Sequence, residues 1–329
     1  MARLEASERE ARESFPLIFG DENPFKFEGV LDVRDERPPS VIHVRYFPDS
    51  GKELVGLGEW GDQQNLLVSP GSWVEEPTIG QDLAIKLRIT RNRSVNRELY
   101  ANLIGNQLFA PDEAARTPRL FGFGTGGKYS RYIFSTDVQK FITVEEPDHY
   151  LVFEYIEQSF QELGKNEAFK NGLPPEQAIG LGLLITGFLQ KLHSAGIVHG
   201  DLEGPGLDEH VFWDQASNRI RVIDLEGGKI SLLDKDWEKL QFMDQESIGN
   251  LLVRGLFGDG IDWSHYEDEI RKIFSIHPEI SSQLLRIIKM CKGVNQAWEK
   301  TEMYPHNAAG TGQIYEDLME VKELLSAAK

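Results

Sequence analysis

The sequence predicts an α+β chain, with strands gathered in its first half and helices in its second. Between Val41 and Ile156, short β-branched and apolar runs alternate with Gly and Pro, the pattern of strands and turns. Beyond Glu157 the character turns helical, with long apolar-periodic stretches at 177–194, 282–290 and 313–325. Two short β-branched runs stand apart within this second half. Ile197-Val198 leads into His199-Gly200-Asp201, and Arg221-Val222-Ile223 leads into Asp224-Leu225-Glu226-Gly227. Each reads as a buried strand that delivers a carboxylate into a loop. Two such acids, joined by a turn-rich insert and the strand Val211-Phe212-Trp213, suit a base beside a metal ligand.

The chain has 329 residues, 40% hydrophobic and 27% charged, enough for one large bilobal domain or two ordinary ones. No apolar run approaches the roughly 20 residues that span a bilayer. The charged start, Met1 to Arg12, is not expected to be a secretory signal. Cys291 is the only cysteine, which excludes a disulfide framework and a cysteine-based zinc site. It is expected to be a buried apolar side chain in a reducing compartment, so the cytoplasm is the expected location. A formal net charge of −18 repels phosphate backbones and anionic headgroups. Nucleic acid and membrane are therefore not expected as partners, and basic, neutral or protein substrates are favoured.

Taken in order, residues 1–40 form an N-terminal extension. A helix is expected at Ala2–Ser14, then an irregular segment docking Phe15, Phe19, Phe25 and Phe27, closed by Pro38-Pro39. From Val41 to Leu87 strands are broken by Gly and Pro. Gly56-Leu57-Gly58-Glu59-Trp60-Gly61 lies between the apolar Leu54-Val55 and Leu66-Leu67-Val68, where glycines would let backbone amides close over phosphates. Leu83-Ala84-Ile85-Lys86-Leu87 is a further strand. Ser94 can cap a helix with Val95, Leu99 and Leu103 at spacing four. Glu98 on that helix is the only acidic residue between Lys86 and Pro111, hence the one candidate partner for a buried Lys86 ammonium. Pro118 to Phe123 and Arg131 to Ile142 read as strands around a Gly124–Gly127 turn, and Tyr150 to Ile156 as another strand. Pro174-Pro175-Glu176 opens a helix from Gln177 to Ser194, which Gly196 can cap.

These stretches together resemble the protein-kinase-like superfamily. His199-Gly200-Asp201 stands where that family carries H-R-D or H-G-D, and Asp224-Leu225-Glu226-Gly227 where it carries D-F-G. Leu83 to Leu87 resembles the V-A-I-K strand, and Gly56 to Gly61 fits G-x-G-x-x-G. The approach Leu192-His193-Ser194-Ala195-Gly196-Ile197-Val198-His199-Gly200-Asp201 is the most specific match. Asp244-Gln245-Glu246-Ser247-Ile248-Gly249 resembles the "DxxSxG" helix of the large lobe, whose aspartate accepts hydrogen bonds from the catalytic-loop backbone.

The resemblance covers about residues 50 to 325 and implies a bilobal protein-kinase-like fold. It would have a small β-rich N-lobe at 41–156 and a larger helical C-lobe at 157–329. It further implies ATP as phosphate donor and Mg²⁺ or Mn²⁺ as cofactor. Asp201 would be the catalytic base and Asp224 the metal ligand, with Lys86, paired with Glu98, on the phosphates. Gly56, Gly58 and Gly61 would cover the phosphates. Phe153, Glu154 and Ile156 would line the hinge against adenine, with Phe153 guarding the back of the pocket.

The chain also departs from that pattern. The second metal ligand of protein kinases is an Asn five residues after the catalytic Asp. That position is Gly206, within an inserted Glu203 to Asp208. Aligned on the strand instead, Asp208 to Asp214 resembles "PENILLD", and His210 replaces the Asn as a softer ligand that suits Mn²⁺. Gly200 replaces the arginine that grips a phosphorylated loop. Between Leu225 and Met243 the one hydroxyl is Ser231, so control by loop phosphorylation is not expected.

The implied function is transfer of the ATP γ-phosphate to a hydroxyl acceptor, either a protein Ser/Thr or a small polar molecule. That is compatible with an atypical bacterial-type Ser/Thr kinase or a small-molecule phosphotransferase. The alternative is a pseudokinase-type scaffold that binds nucleotide or a partner without transfer.

Overall fold

The computed structural model describes residues 30–32, 41–46, 54–56, 67–69, 72–88, 94–135, 140–202, 205–225, 229–230, 237–301 and 310–328. The helix expected at 2–14, the four phenylalanines after it, Gly58, Gly61, Glu203 and Ser231 lie outside these residues. The chain is α+β and divides into two compact units. One comprises Met1–Asn106 and Pro118–Glu157, the other Gln107–Thr117 and Gln158–Lys329. The division is not a single cut in sequence, for a reason that lies in strand pairing.

The first unit is built on strands β1 (Val30–Asp32), β2 (Val41–Tyr46), β3 (Leu54–Gly56), β4 (Leu67–Ser69), β5 (Ser72–Trp73) and β6 (Asp82–Arg88). Helix α1 (Ser94–Leu108), strand β7 (Ala115–Arg116), and the long strands β8 (Leu120–Ser135) and β9 (Lys140–Glu154) follow. All of these strands but β7 join one sheet of order β1-β4-β3-β2-β6-β9-β8-β5. Alternation along β6 sorts its side chains to two faces. Leu83 and Ile85 enter a cluster with Val44, Tyr46, Phe121, Tyr150 and Val152. The opposite face is covered by α1, whose Leu99 and Leu103 pack with Leu120, Phe123 and Leu151, and with the half-buried Phe153. Each such Leu or Ile withdrawn from water stabilises the fold by about 1.5–3 kcal/mol. The Asn106 amide fixes the helix to the sheet, donating to the Leu120 carbonyl at 2.8 Å and accepting from its N–H at 3.0 Å.

The turn expected at Gly124–Gly127 is not one. Strand β8 runs straight through it, with a register shift between Thr125, opposite His149, and Lys128, opposite Pro147. Glycine here accommodates a bulge rather than a reversal, and Pro147, which has no N–H to give, sits beside it. Residues 131–142 accordingly do not form one strand: β8 ends at Ser135 and β9 starts at Lys140.

The second unit contains β10 (Gln161–Glu162), α2 (Glu167–Asn171), α3 (Pro175–Ser194) and β11 (Ile197–Val198). Then come α4 (Pro205–His210), β12 (Val211–Asp214), β13 (Arg219–Val222) and β14 (Lys229–Ile230). Four helices close it: α5 (Trp237–Phe257), α6 (Tyr266–Ile273), α7 (Pro278–Thr301) and α8 (Thr311–Ala327). Helix α3 buries residues on nearly every face, from Ala178 through Leu192, and so forms the centre of this unit. A small sheet runs β10-β12-β13-β7, and the parallel pairing of β7 with β13 draws 107–117 into this unit. Cys291 is buried on α7, and burial pushes its thiol up to about 12. No helix among the described residues is long and apolar enough to cross a membrane.

Candidate functional site

In the first unit, β6 and α1 bring Lys86 and Glu98 together. The ammonium donates to the Glu98 carboxylate at 2.8 Å, with the Lys86 side chain 18% exposed and that of Glu98 only 1%. A carboxylate so withdrawn from water needs a charged partner. Its location follows from two periodicities. Strand alternation sends Lys86 to the α1 face of the sheet, and helical spacing puts Glu98 one residue from the buried Leu99.

The glycine stretch begins at Gly56, the last residue of β3, opposite Val44. Strands β3 and β4 form an antiparallel pair flanking residues 57–66, and β2 separates that pair from the lysine strand. Phe153 and Glu154 end β9, with Phe153 opposite Ala84 and Glu154 opposite Leu83. Glu154 accepts a hydrogen bond from the Arg119 N–H at 3.1 Å, and Ile156 lies beyond the strand.

In the second unit the two acid-bearing loops are held by a common set of bonds. Asp244 stands inside α5, fully buried, and is not a helix cap. Its carboxylate accepts from the backbone N–H of His199 and of Gly200, each at 2.9 Å, and from His193 Nε2 at 2.9 Å. Gly200 has φ +73°, a left-handed conformation that a residue with a Cβ adopts only at a cost. That geometry explains glycine at 200 and turns Asp201 outward, where its side chain is 60% exposed.

The His199 ring continues the tie. It is fully buried and donates from Nε2 to the Ile223 carbonyl at 2.9 Å, while the Ile223 N–H donates to the His210 carbonyl at 2.9 Å. Burial pushes the His199 imidazole below its ordinary range, against the opposing pull of the Asp244 charge, so the ring is neutral at pH 7. Clamped on both sides at Ile223, the chain emerges with Asp224 at φ +70°. A non-glycine residue in the left-handed region costs about 1–3 kcal/mol, and such strain clusters at functional sites.

His210 stands between the two acids. Its Nε2 is 3.3 Å from Asp201 Oδ2, and its Nδ1 is 3.8 Å from Asp224 Oδ2. The first contact is a long hydrogen bond; the second is too long to be one. Nδ1 is buried and has no hydrogen-bond partner among the described residues. Pro205–His210 is helical and His210 closes it, directly before β12, which contains the expected strand Val211-Phe212-Trp213. Asp208 is turned away to Arg254 on α5 at 2.7 Å, and Arg254 also holds Asp259 and stacks over Phe169. Among the described residues no group of three His, Cys, Asp or Glu side chains is placed to hold a metal ion.

Gly206, noted from sequence only as a missing Asn, has a role of its own. A Cβ added there would lie 1.9 Å from the Asp201 carbonyl oxygen. Helix α4 therefore presses its backbone against the loop that carries Asp201, and no side chain fits between. The Gly-Pro-Gly composition of the insert was the available signal. Arg254 and Thr311, which also bear on this site, carried no sequence signal.

No protein-family model matches the chain, and no curated protein matches it. Among solved structures it is similar to a Neurospora crassa PAN3 pseudokinase mutant, at a TM-score of 0.46 and 14% identity. That similarity covers 77% of this chain and 57% of the other, so the chain spans somewhat more than half the length of the structure it matches.

Proposed function

We propose that this protein is an ATP-dependent phosphotransferase of the protein-kinase-like type, moving the γ-phosphate to a hydroxyl acceptor. The observation that carries the reading is the array Asp201–His210–Asp224, with Asp224 held in a strained conformation, the Asp201 loop tied to the buried Asp244 and the Asp224 loop tied to the His199 ring. Asp201 orients the acceptor hydroxyl and takes its proton as the acceptor oxygen bonds to the γ-phosphorus. The bond from that phosphorus to the bridging oxygen breaks, and ADP leaves with the electron pair. Lys86, kept in place by Glu98, holds the α- and β-phosphate oxygens.

Asp224 and His210 are the residues that would hold Mg²⁺ or Mn²⁺. The residues fit such an ion: a bare, buried Nδ1 faces a carboxylate oxygen 3.8 Å away. Two protein ligands suffice where substrate phosphates complete the shell. The bound cation would neutralise charge on the phosphates. With Nε2 donating to Asp201, the Nδ1 lone pair would be available to such a cation, as in carboxylate–imidazole pairs at metal sites. The acceptor is a protein Ser/Thr or a small polar molecule, and a net charge of −18 favours a neutral or basic one.

The test is transfer of labelled γ-phosphate from ATP, with Mg²⁺ and Mn²⁺ in parallel. Acceptors are the protein itself, basic Ser/Thr peptides and small polyols. Wild type should transfer label and Asp201→Ala should lose about 10²–10⁴-fold, the usual worth of a positioned general base. Nucleotide binding with no transfer to any acceptor would leave a scaffold that binds without catalysis.

A further inference from the structure

Helix α4 is six residues long, too short to hold its own shape in water, so its neighbours decide where it sits. Two of its residues meet the acid loop. Gly206 lies against the Asp201 carbonyl, and His210, one turn on, reaches the Asp201 carboxylate at 3.3 Å. Asp208 stands midway between them in sequence, about 200° around the helix axis and so on the opposite side. There it is held twice. A Cβ added at Gly164, in the 3₁₀ turn Leu163–Lys165, would lie 2.6 Å from Asp208 Cβ, so the aspartate packs close against that turn. Its carboxylate accepts from Arg254 Nη1 at 2.7 Å.

Arg254 is itself fixed from behind. Its side chain is 16% exposed, and its Cζ lies 5.1 Å from the centroid of the Phe169 ring. Nε and Nη2 both donate to Asp259 Oδ1, at 3.1 and 2.6 Å. The Asp259 N–H donates in turn to the Lys170 carbonyl of α2 at 2.9 Å, and a Cβ on Gly258 would come within 2.1 Å of the same oxygen. One guanidinium therefore joins a turn seated on α2 to the outer side of α4. Its planar fork reaches the two carboxylates in two directions at once, which a lysine ammonium is not built to do.

We propose that Arg254 is a positioning residue: through Asp208 it fixes the rotation of α4 and blocks its withdrawal from the Asp201 loop. Gly206 and His210 then stay against Asp201 because the far side of their helix cannot move. Without the guanidinium, α4 keeps its covalent ends and loses the bond that sets its angle. The proposal rests on the phosphotransferase reading only for its kinetic consequence; the seating of α4 is independent of it.

The experiment uses the full chain, with urea unfolding and γ-phosphate transfer from ATP measured on the same variants. Arg254→Ala and Asp208→Ala should each lower kcat about tenfold, less than the roughly 10² that a full 1 Å misplacement costs. Asp208→Asn, whose amide oxygen still accepts from Arg254, should stay within threefold of wild type. The decisive readout is a double-mutant cycle with Gly206→Ala. A released α4 can back away from the added methyl, so Gly206→Ala should lower the urea midpoint less than half as much in Arg254→Ala as in the wild-type background. Additive midpoint shifts would mean that Arg254 only pins the end of α5 to α2. That result, an Arg254→Ala protein with wild-type kcat, or an Asp208→Asn protein as slow as Asp208→Ala would each overturn the proposal. If the midpoints couple as expected but wild type transfers no phosphate, the seating of α4 stands and the phosphotransferase reading falls.

Discussion

Gly206→Ala is the most demanding perturbation of this site, because a single methyl group meets backbone. The new Cβ would lie 1.9 Å from the Asp201 carbonyl oxygen, 2.9 Å from its carbonyl carbon and 3.3 Å from His210 Cδ2. The first separation falls about 1.5 Å short of ordinary van der Waals contact. A flexible side chain could swing clear of it; a peptide oxygen two bonds from the Asp201 Cα cannot. Either α4 withdraws, taking His210 with it, or the Asp201 loop moves against its bonds to Asp244.

A misplacement of about 1 Å in reacting groups costs on the order of 10²-fold in rate, and overpacking costs about 1–3 kcal/mol in stability. Alanine's better helix propensity returns at most about 1 kcal/mol of that. The expected outcome is a loss of about 10²-fold in kcat for ATP turnover and a fall of a few degrees in Tm, read by initial rates and thermal melting. Gly260→Ala is the control, because a Cβ there meets nothing within 4 Å and the residue has no left-handed φ. If Gly206→Ala melts at or above wild type and keeps its rate within twofold, the close approach of α4 to Asp201 is refuted.

Three further outcomes are expected. Lys86→Met and Glu98→Gln should be strongly non-additive in activity, since each takes the ion-pair partner from the other in a poorly solvated place; a double-mutant cycle with a coupling near zero would contradict the 2.8 Å ion pair. His210→Asn should move metal preference from Mn²⁺ toward Mg²⁺, because imidazole is the softer ligand, and an unchanged ratio of the two activities would make His210 purely structural. The third concerns acid stability. Burial lowers the His199 pKa in the folded chain from 6.5, so below that pH the unfolded chain binds the proton more readily. The stability this group contributes is present above about pH 6.5 and is lost as pH falls toward the folded value. His199→Gln, whose amide can still donate to the Ile223 carbonyl, should flatten that loss in urea unfolding at pH 7.5, 6.5 and 5.5, and an equal slope in both proteins would show that other groups carry it.

What the sequence determined by itself was local. A β-branched run ending in Asp marks a strand that delivers an acid, so Asp201 and Asp224 could be read as loop carboxylates from five or six residues each. Glu98 was legible because no other acid lies on its helix, and Asp244 because its helix carries a recognisable spacing. The tertiary structure decided everything that depends on contacts between distant residues. Periodicity cannot say that Arg254 will turn Asp208 away from His210, that β7 will pair with β13, or that Thr311 will meet His193. The bulge at Gly126-Gly127 was misread for the same reason: glycine permits both a reversal and a bulge, and only the partner strand β9 selects between them. At Gly206 the sequence showed an absent side chain, and the fold supplied the cause, a backbone carbonyl where any side chain would have to be.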